Sequence, residues 1–206
     1  MSLSDDLLTI PRLIVRQRFE GFELLGYETR NKYAILTESG SAVGYAAEQQ
    51  KGIWGFLVRQ FLGHWRQFSI DIFDSSRQFC FHAVHPFRFF FQRFEIYGLN
   101  NILIGSLQQR FSVLTKSFDV EDAHGNVILT VRSPLLKFWT FPFLRGSREV
   151  AVVKKQWGGI LAEGFTDKDT FAVEFSSEME NASERVLVLA AALFIDLQYF
   201  ERKAKN

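Results

Sequence analysis

The sequence predicts a mainly β fold, a barrel or sandwich of short antiparallel strands with one buried C-terminal helix. Three observations carry this. Runs rich in Val, Ile, Phe and Tyr recur along most of the 206 residues, each bounded by Gly, Asp, Asn or Ser turn signals. Phe is used 23 times, and heavy aromatic use with alternation favours strands. The run 186–195, from Val186 to Ile195, has no polar face, the pattern of a helix enclosed on all sides by protein or by lipid.

The elements follow in order. Residues 33–36 lead through Glu38-Ser39-Gly40-Ser41 into 42–48, a strand, a turn and a strand. Residues 68–73 alternate and turn at Asp74-Ser75-Ser76-Arg77 into 78–84. Residues 93–97 turn at Gly98-Leu99-Asn100-Asn101 into 102–107. Residues 118–121 turn at Asp122-Ala123-His124-Gly125-Asn126 into 127–131. Residues 150–155 turn at Trp157-Gly158-Gly159 into 160–163, and 171–175 close the series. Residues 42–49 echo 103–109, around Gly44 and Gly105; two halves of one barrel and a chance likeness both explain this. No Pro- or Ser-rich linker interrupts the chain, so residues 1–206 read as one domain with a core of about 10–203.

The terminal run decides between a membrane span and a core helix. A span needs about 20 mostly apolar residues, and this run meets Asp196 first. The Leu, Ile, Val and Phe residues between Glu184 and Arg202 supply roughly −4 kcal/mol of insertion free energy. Asp196 returns about +2.5 to +3.5 kcal/mol near the centre. Insertion is then close to neutral. A barrel lumen must be filled by side chains, and a helix apolar all round can fill it. The expectation is a buried helix, with Leu189, Leu193, Phe194 and Asp196 inside.

Composition narrows the function. A net charge of +1 argues against a general nucleic-acid binder. A single cysteine, Cys80, excludes an intrachain disulfide and a zinc-knuckle spacing. The polar, acidic stretch Met1 to Asp6 lacks a signal-peptide pattern, so a cytoplasmic location, peripheral at the membrane face, is expected. No Gly-x-Ser-x-Gly elbow, phosphate-binding loop or His-Glu-x-x-His motif occurs, and no covalent catalysis is expected.

Several stretches in this order resemble the phospholipid scramblase family, whose members look like tubby C-terminal domains. They are 27–33, Arg59 to Gly63 with Arg66-Gln67-Phe68, 105–111, Phe118-Asp119-Val120, Trp157-Gly158-Gly159, 165–171, and 191–196 running on to Phe200-Glu201. The resemblance covers roughly residues 10–203. It implies a closed barrel of about 12 antiparallel strands around a central hydrophobic C-terminal helix. It also implies binding of phospholipid, calcium-dependent movement of phospholipid between leaflets, and calcium as cofactor. The sequence departs from animal members in lacking their Pro-rich N-terminal region and their acyl-carrying Cys cluster, so a lipid anchor is not expected.

The family's calcium segment maps onto Asp167, Asp169, Phe171, Val173, Phe175 and Glu178, the ligand positions of an EF-hand-like loop. Carboxylates at both ends suit calcium. Ala172 in place of the turn glycine, and strand-like alternation over 171–175, do not. The competing reading is a turn entering a strand. Residues 52–66 interleave Trp54, Phe56, Phe61 and Trp65 with Arg59 and Arg66, as an interfacial helix would, or a helix packed on the barrel. Arg145, Arg148, Lys154 and Lys155 form a basic cluster, suited to phosphoinositide headgroups or simply a solvated face. His82 and His85 lack further ligands at metal spacing.

The expected function is binding, and transbilayer movement, of membrane phospholipid. The expected partner is an anionic phospholipid or phosphoinositide surface. The alternative is a soluble tubby-like scaffold module that binds headgroups or a protein partner without lipid transport.

Overall fold

In the computed structural model the described residues are 3–18, 31–49, 68–86, 91–112, 115–134, 139–156 and 170–200. A short helix α1 (Leu3–Thr9) precedes twelve strands: β1 (Arg12–Arg18), β2 (Lys32–Thr37), β3 (Ala42–Glu48), β4 (Phe68–Asp74), β5 (Phe79–His85), β6 (Arg93–Tyr97), β7 (Leu103–Gln109), β8 (Thr115–Asp122), β9 (Val127–Pro134), β10 (Thr140–Arg145), β11 (Arg148–Gln156) and β12 (Thr170–Phe175). Helix α2 (Ala182–Ile195) follows and loosens into a π-helical turn, Asp196–Phe200. Each strand pairs antiparallel with its sequence neighbours, and β12 pairs with β1, which closes the barrel. The sandwich alternative is thereby excluded.

Two strands were not legible. β1 carries Arg12, Arg16 and Arg18 among its seven residues and reads as a polar segment. Its alternation is nonetheless regular, with Leu13, Val15 and Gln17 buried. β10 contains Pro142, which argues against a strand by sequence, yet Phe141 and Phe143 on either side are fully buried.

The echo around Gly44 and Gly105 is a structural repeat. Ile35 pairs with Gly44 and, across a bulge, Leu36 with Ala42; Ile96 pairs with Gly105 and Tyr97 with Leu103 in the same way. Gly44 then faces Asp74, and Gly105 faces Asp122. The carboxylate Oδ1 of Asp74 accepts from the Ser76 and Gln78 amides, and that of Asp122 from the His124 and Asn126 amides. A third unit follows the pattern: Phe143 pairs with Ala151, Leu144 with Glu149, and Ala151 with Phe175. Its fourth strand is β1, reached when the Phe175 amide donates to the Pro11 carbonyl, as the Asp74 amide does to Gln78. The barrel is thus three four-strand units, β2–β5, β6–β9 and β10–β12 with β1.

α2 threads the barrel. Leu189 and Leu193 are 0% exposed, Phe194 2% and Asp196 1%. Burial of each large apolar side chain contributes roughly 1.5–3 kcal/mol, so this helix organises the core. Asn181 caps it, its side chain accepting from the Ser183 and Glu184 amides. Gly105 lets it approach, since a Cβ there would lie 2.9 Å from Leu187 and 2.3 Å from the Glu121 carbonyl. Among the described residues no helix is long and apolar enough to cross a membrane.

The barrel has two unlike ends. The hairpins β2–β3, β4–β5, β6–β7, β8–β9 and β10–β11 all turn tightly at one end. That end is plugged by α1, whose Leu3 and Leu7 are fully buried. Arg185, at the start of α2, locks the plug by donating to the carbonyls of Met179 (2.6 Å), Leu7 (2.5 Å) and Ile10 (3.1 Å). The remaining connections leave from the opposite end, here termed the mouth.

Candidate functional site

Strand alternation sends every second side chain inward. Through the body of the barrel these are apolar: Val15, Tyr33, Ile70, Phe94, Phe118, Phe141, Val153 and Phe171 are all buried. One inward step nearer the mouth the chemistry changes. There stand Gln17, Asn31, Glu48, His85, Gln92, Gln109, Lys116, Ser133 and Lys155, with Phe68 and Trp139 among them. Gln17, Asn31, Glu48, His85, Gln92 and Ser133 are buried. A buried polar group is costly unless it is hydrogen-bonded, and part of this ring is. Gln17 Nε2 donates to Asn31 Oδ1 at 2.9 Å, and Asn31 Nδ2 donates to Glu48 Oε2 at 2.6 Å.

The end of α2 reaches this ring from below. Tyr33 donates its hydroxyl to Asp196 Oδ2 at 2.8 Å. Asp196, which made membrane insertion unfavourable, is therefore a ligand of the barrel wall. His85 stacks on Phe68 at 4.7 Å and lies 6.1 Å from Phe194. His82 instead points outward, its Nδ1 2.5 Å from Asp71 Oδ1. The two histidines face opposite sides of β5, which rules out a shared metal. Phe200 lies beneath the mouth, stacked on Trp139 at 5.3 Å, and the ammonium groups of Lys116 and Lys155 rest over its ring.

The basic cluster expected from sequence is not one cluster. Arg145 and Arg148 flank the β10–β11 turn at the plugged end, whereas Lys154 and Lys155 are at the mouth, about 20 Å along the strand at 3.3 Å per residue. Arg145 is paired with Glu184, and Arg148 donates to both Glu178 carboxylate oxygens at 2.9 Å. Lys154 points outward to Glu174 at 2.8 Å, while Lys155 points inward. Arg59 and Arg66 lie outside the described residues.

The calcium segment does not form a loop over its described positions. Phe171, Val173 and Phe175 lie on β12 with their side chains in the core; Phe171 and Val173 are register-paired with β1 and β11 on either side, and Phe175 with β11. Their carbonyls belong to a sheet and cannot converge on an ion. Glu178 is held by Arg148. Asp167 and Asp169 lie outside the described residues. Among the described residues no cluster of three or more His, Cys, Asp or Glu side chains suits a metal. The described residues of the segment, Phe171, Val173, Phe175 and Glu178, do not form an EF-hand-like loop.

On the outer wall near the mouth, charges are matched. Arg93 donates to Glu121 at 2.7 Å and to Glu95 at 3.0 Å, and Arg110 to Asp119 at 2.5 Å. Burial works to lower the Arg93 pKa, but its carboxylate partners outweigh burial and raise it. Gln49 takes the place of Arg110 in the first unit, donating to Asp71 at 2.7 Å. Exposed aromatics stand nearby, with Phe91 48% and Phe111 79% exposed. At the plugged end, Cys80 lines a groove of about 500 Å³. Burial, then Asp74, pushes its thiol pKa up, which disfavours a nucleophilic thiolate.

Lys116, Glu48 and the buried amides of the ring were missed by sequence reasoning. The signal was present: in Lys116-Ser117-Phe118-Asp119-Val120 the lysine shares the inward face with Phe118 and Val120. Polar residues at inward register mark the mouth.

A family model described as Scramblase matches residues 3–202. Phospholipid scramblase 1 of Homo sapiens is 27% identical over 210 residues, covering 95% of this chain and 64% of that protein. A phospholipid scramblase family protein of Schizosaccharomyces pombe is 27% identical over 240 residues, covering 95% and 61%. The chain therefore spans less than two thirds of these two relatives. Altered inheritance rate of mitochondria protein 25 of Saccharomyces cerevisiae is 23% identical over 245 residues, covering 99% of this chain and 75% of that protein. A protein of Arabidopsis thaliana solved by X-ray diffraction has the same fold, with a TM-score of 0.52 over 91% of each chain at 10% identity.

Proposed function

The chain belongs to the Scramblase family, and from that membership we propose that it binds anionic phospholipid at a membrane surface through the mouth of its barrel. The observation that carries this reading is the asymmetry of the two ends. Among the described residues, apolar lining gives way to a polar and cationic ring at the mouth, and the exposed aromatics Phe91 and Phe111 stand beside it. Amphipathic surfaces of aromatic and basic residues suit the headgroup layer.

Binding here is non-covalent and acts on the headgroup, and transbilayer movement of lipid is the finer activity proposed to follow from it. Calcium has no part in the reading through Phe171, Val173, Phe175 and Glu178.

Flotation with vesicles of phosphatidylcholine, alone or with phosphatidylserine, tests it. The protein should float with the anionic vesicles and stay at the bottom with neutral ones, equally in calcium and in chelator. No flotation with either composition would overturn the reading and favour a scaffold module. Exposure of a fluorescent lipid to an external quencher, in vesicles carrying the protein, reads lipid movement separately.

A further inference from the structure

The edge of the mouth where β6 meets β7 carries two projecting phenylalanines. Phe111 is 79% exposed, the most exposed large apolar side chain among the described residues, and Phe91 is half exposed. Both stand within two residues of the pair that ends this ladder, where the Gln109 amide donates to the Gln92 carbonyl at 2.8 Å.

Phe91 is also held in a backbone conformation that an aromatic residue avoids. Its φ is +51°, in the left-handed region that suits Gly and Asn. Such conformations persist where the surroundings fix them, and they gather at functional positions. Here two side chains of β7 fix it. Gln108 Nε2 donates to the Phe91 carbonyl at 3.2 Å, and Gln109 Oε1 accepts from the Gln92 amide at 3.0 Å. The fold thus tolerates backbone strain in a turn that leaves a phenylalanine half in water.

The charges of this edge are matched among themselves, Arg110 with Asp119 and Glu121, and Arg93 with Glu95 and Glu121. What the edge offers a partner is therefore apolar surface. Shape selects the partner. At the plugged end the exposed Phe79, Leu99 and Ile102 line a groove, a concave form that fits a protein segment. Phe111, by contrast, projects. A fluid bilayer admits projecting aromatic rings without a complementary pocket, and burial of their apolar surface drives the entry. The edge is also continuous with the polar ring, because Gln92 and Gln109 belong to both.

We infer that Phe91 and Phe111 form a membrane-insertion edge: they enter the boundary between headgroups and acyl chains and set the barrel with its mouth against the lipid. The inference rests on the lipid-binding reading and adds to it the depth and orientation of the contact.

Flotation of the full chain with vesicles of phosphatidylcholine and phosphatidylserine tests it. Phe91→Asn, which suits the left-handed backbone, combined with Phe111→Ser should lower the partition coefficient roughly tenfold or more while the melting temperature holds. Leu99→Ser with Ile102→Ser, at the plugged end, should bind as the wild type does. Undiminished binding by the mouth pair would overturn the insertion edge and leave the lipid-binding reading standing. A wild type that binds no vesicle would overturn that reading and the edge with it. Depth is read independently, on a Cys80→Ser background, with a fluorophore attached to Phe111→Cys or to Ile102→Cys. A nitroxide carried high on the acyl chain should quench the first and not the second. Quenching at 102 without quenching at 111 would overturn the inference.

Discussion

The plugged end and the mouth are made from the same strands by opposite choices. At the plugged end each hairpin closes in a tight turn, α1 fills the opening, and the buried cation Arg185 is spent on backbone carbonyls. At the mouth the inward positions turn polar, and two cations rest on aromatic rings. One end is organised for folding. The other holds polar groups where apolar ones would pack at less cost. This difference, more than any motif, is the ground for proposing that lipid binds at the mouth.

The comparison breaks first on the axis between the ends. Leu193 is fully buried within α2. Leu193→Asp buries a charge with no partner built for it, a cost of more than about 5 kcal/mol, comparable to the stability of a whole domain. The variant should show no cooperative thermal transition by circular dichroism. A folded, melting variant would show that the helix can leave the barrel.

Next comes the plug. Arg185→Ala strands the carbonyls of Met179, Leu7 and Ile10 and removes the cation over Phe175. The expected loss is about 3 kcal/mol, read by urea unfolding. Hydrogen exchange should rise in α1 before it rises in the strands. Uniform exchange across the barrel would mean that α1 is not a separate plug.

The glycines of the repeat give a graded test. Gly105→Ala sets a methyl against the Glu121 carbonyl and Leu187, and overpacking of this kind costs about 1–3 kcal/mol. Gly44→Ala meets the Phe73 carbonyl at 2.6 Å but only Leu3 side-chain carbons beyond it, at 3.3 Å or more, so it should cost less. Ala151, which holds the matching place in the third unit, already carries the methyl. Equal losses at Gly44 and Gly105 would show that approach of α2 is not what fixes Gly105.

Much of this barrel was legible, for particular reasons. Turns such as Asp74–Gln78 and Asp122–Asn126 announce themselves because an Asp side chain must accept the amides beyond it. The terminal run was legible because no helix face was polar. β1 and β10 were hidden by composition, since arginines and a proline mask an alternation that only burial reveals. The site was less legible. Arg145 and Lys154 are near in sequence and lie toward opposite ends of the barrel, because a strand converts short spacing into distance. Lys116 and Lys155 are far apart in sequence and both reach Phe200 because the strands from β8 to β11 curve around it.

The smallest expected effect sharpens the contrast most. Lys116→Met and Lys155→Met keep the length of each side chain and its contact with the rings, and remove only the charge. Apolar replacement of a half-buried cation is often neutral or stabilising. Each variant should change the unfolding free energy by no more than about 0.5 kcal/mol in the unfavourable direction, measured by urea unfolding. A Gly105→Ala variant measured in parallel should lose several times more. If the methionine variants lose as much as the glycine variant, the lysines hold the barrel together, and the mouth is built on the same terms as the plugged end. If they melt with the wild type, the charge of the two lysines is not kept for stability, and the mouth is built on different terms from the plugged end.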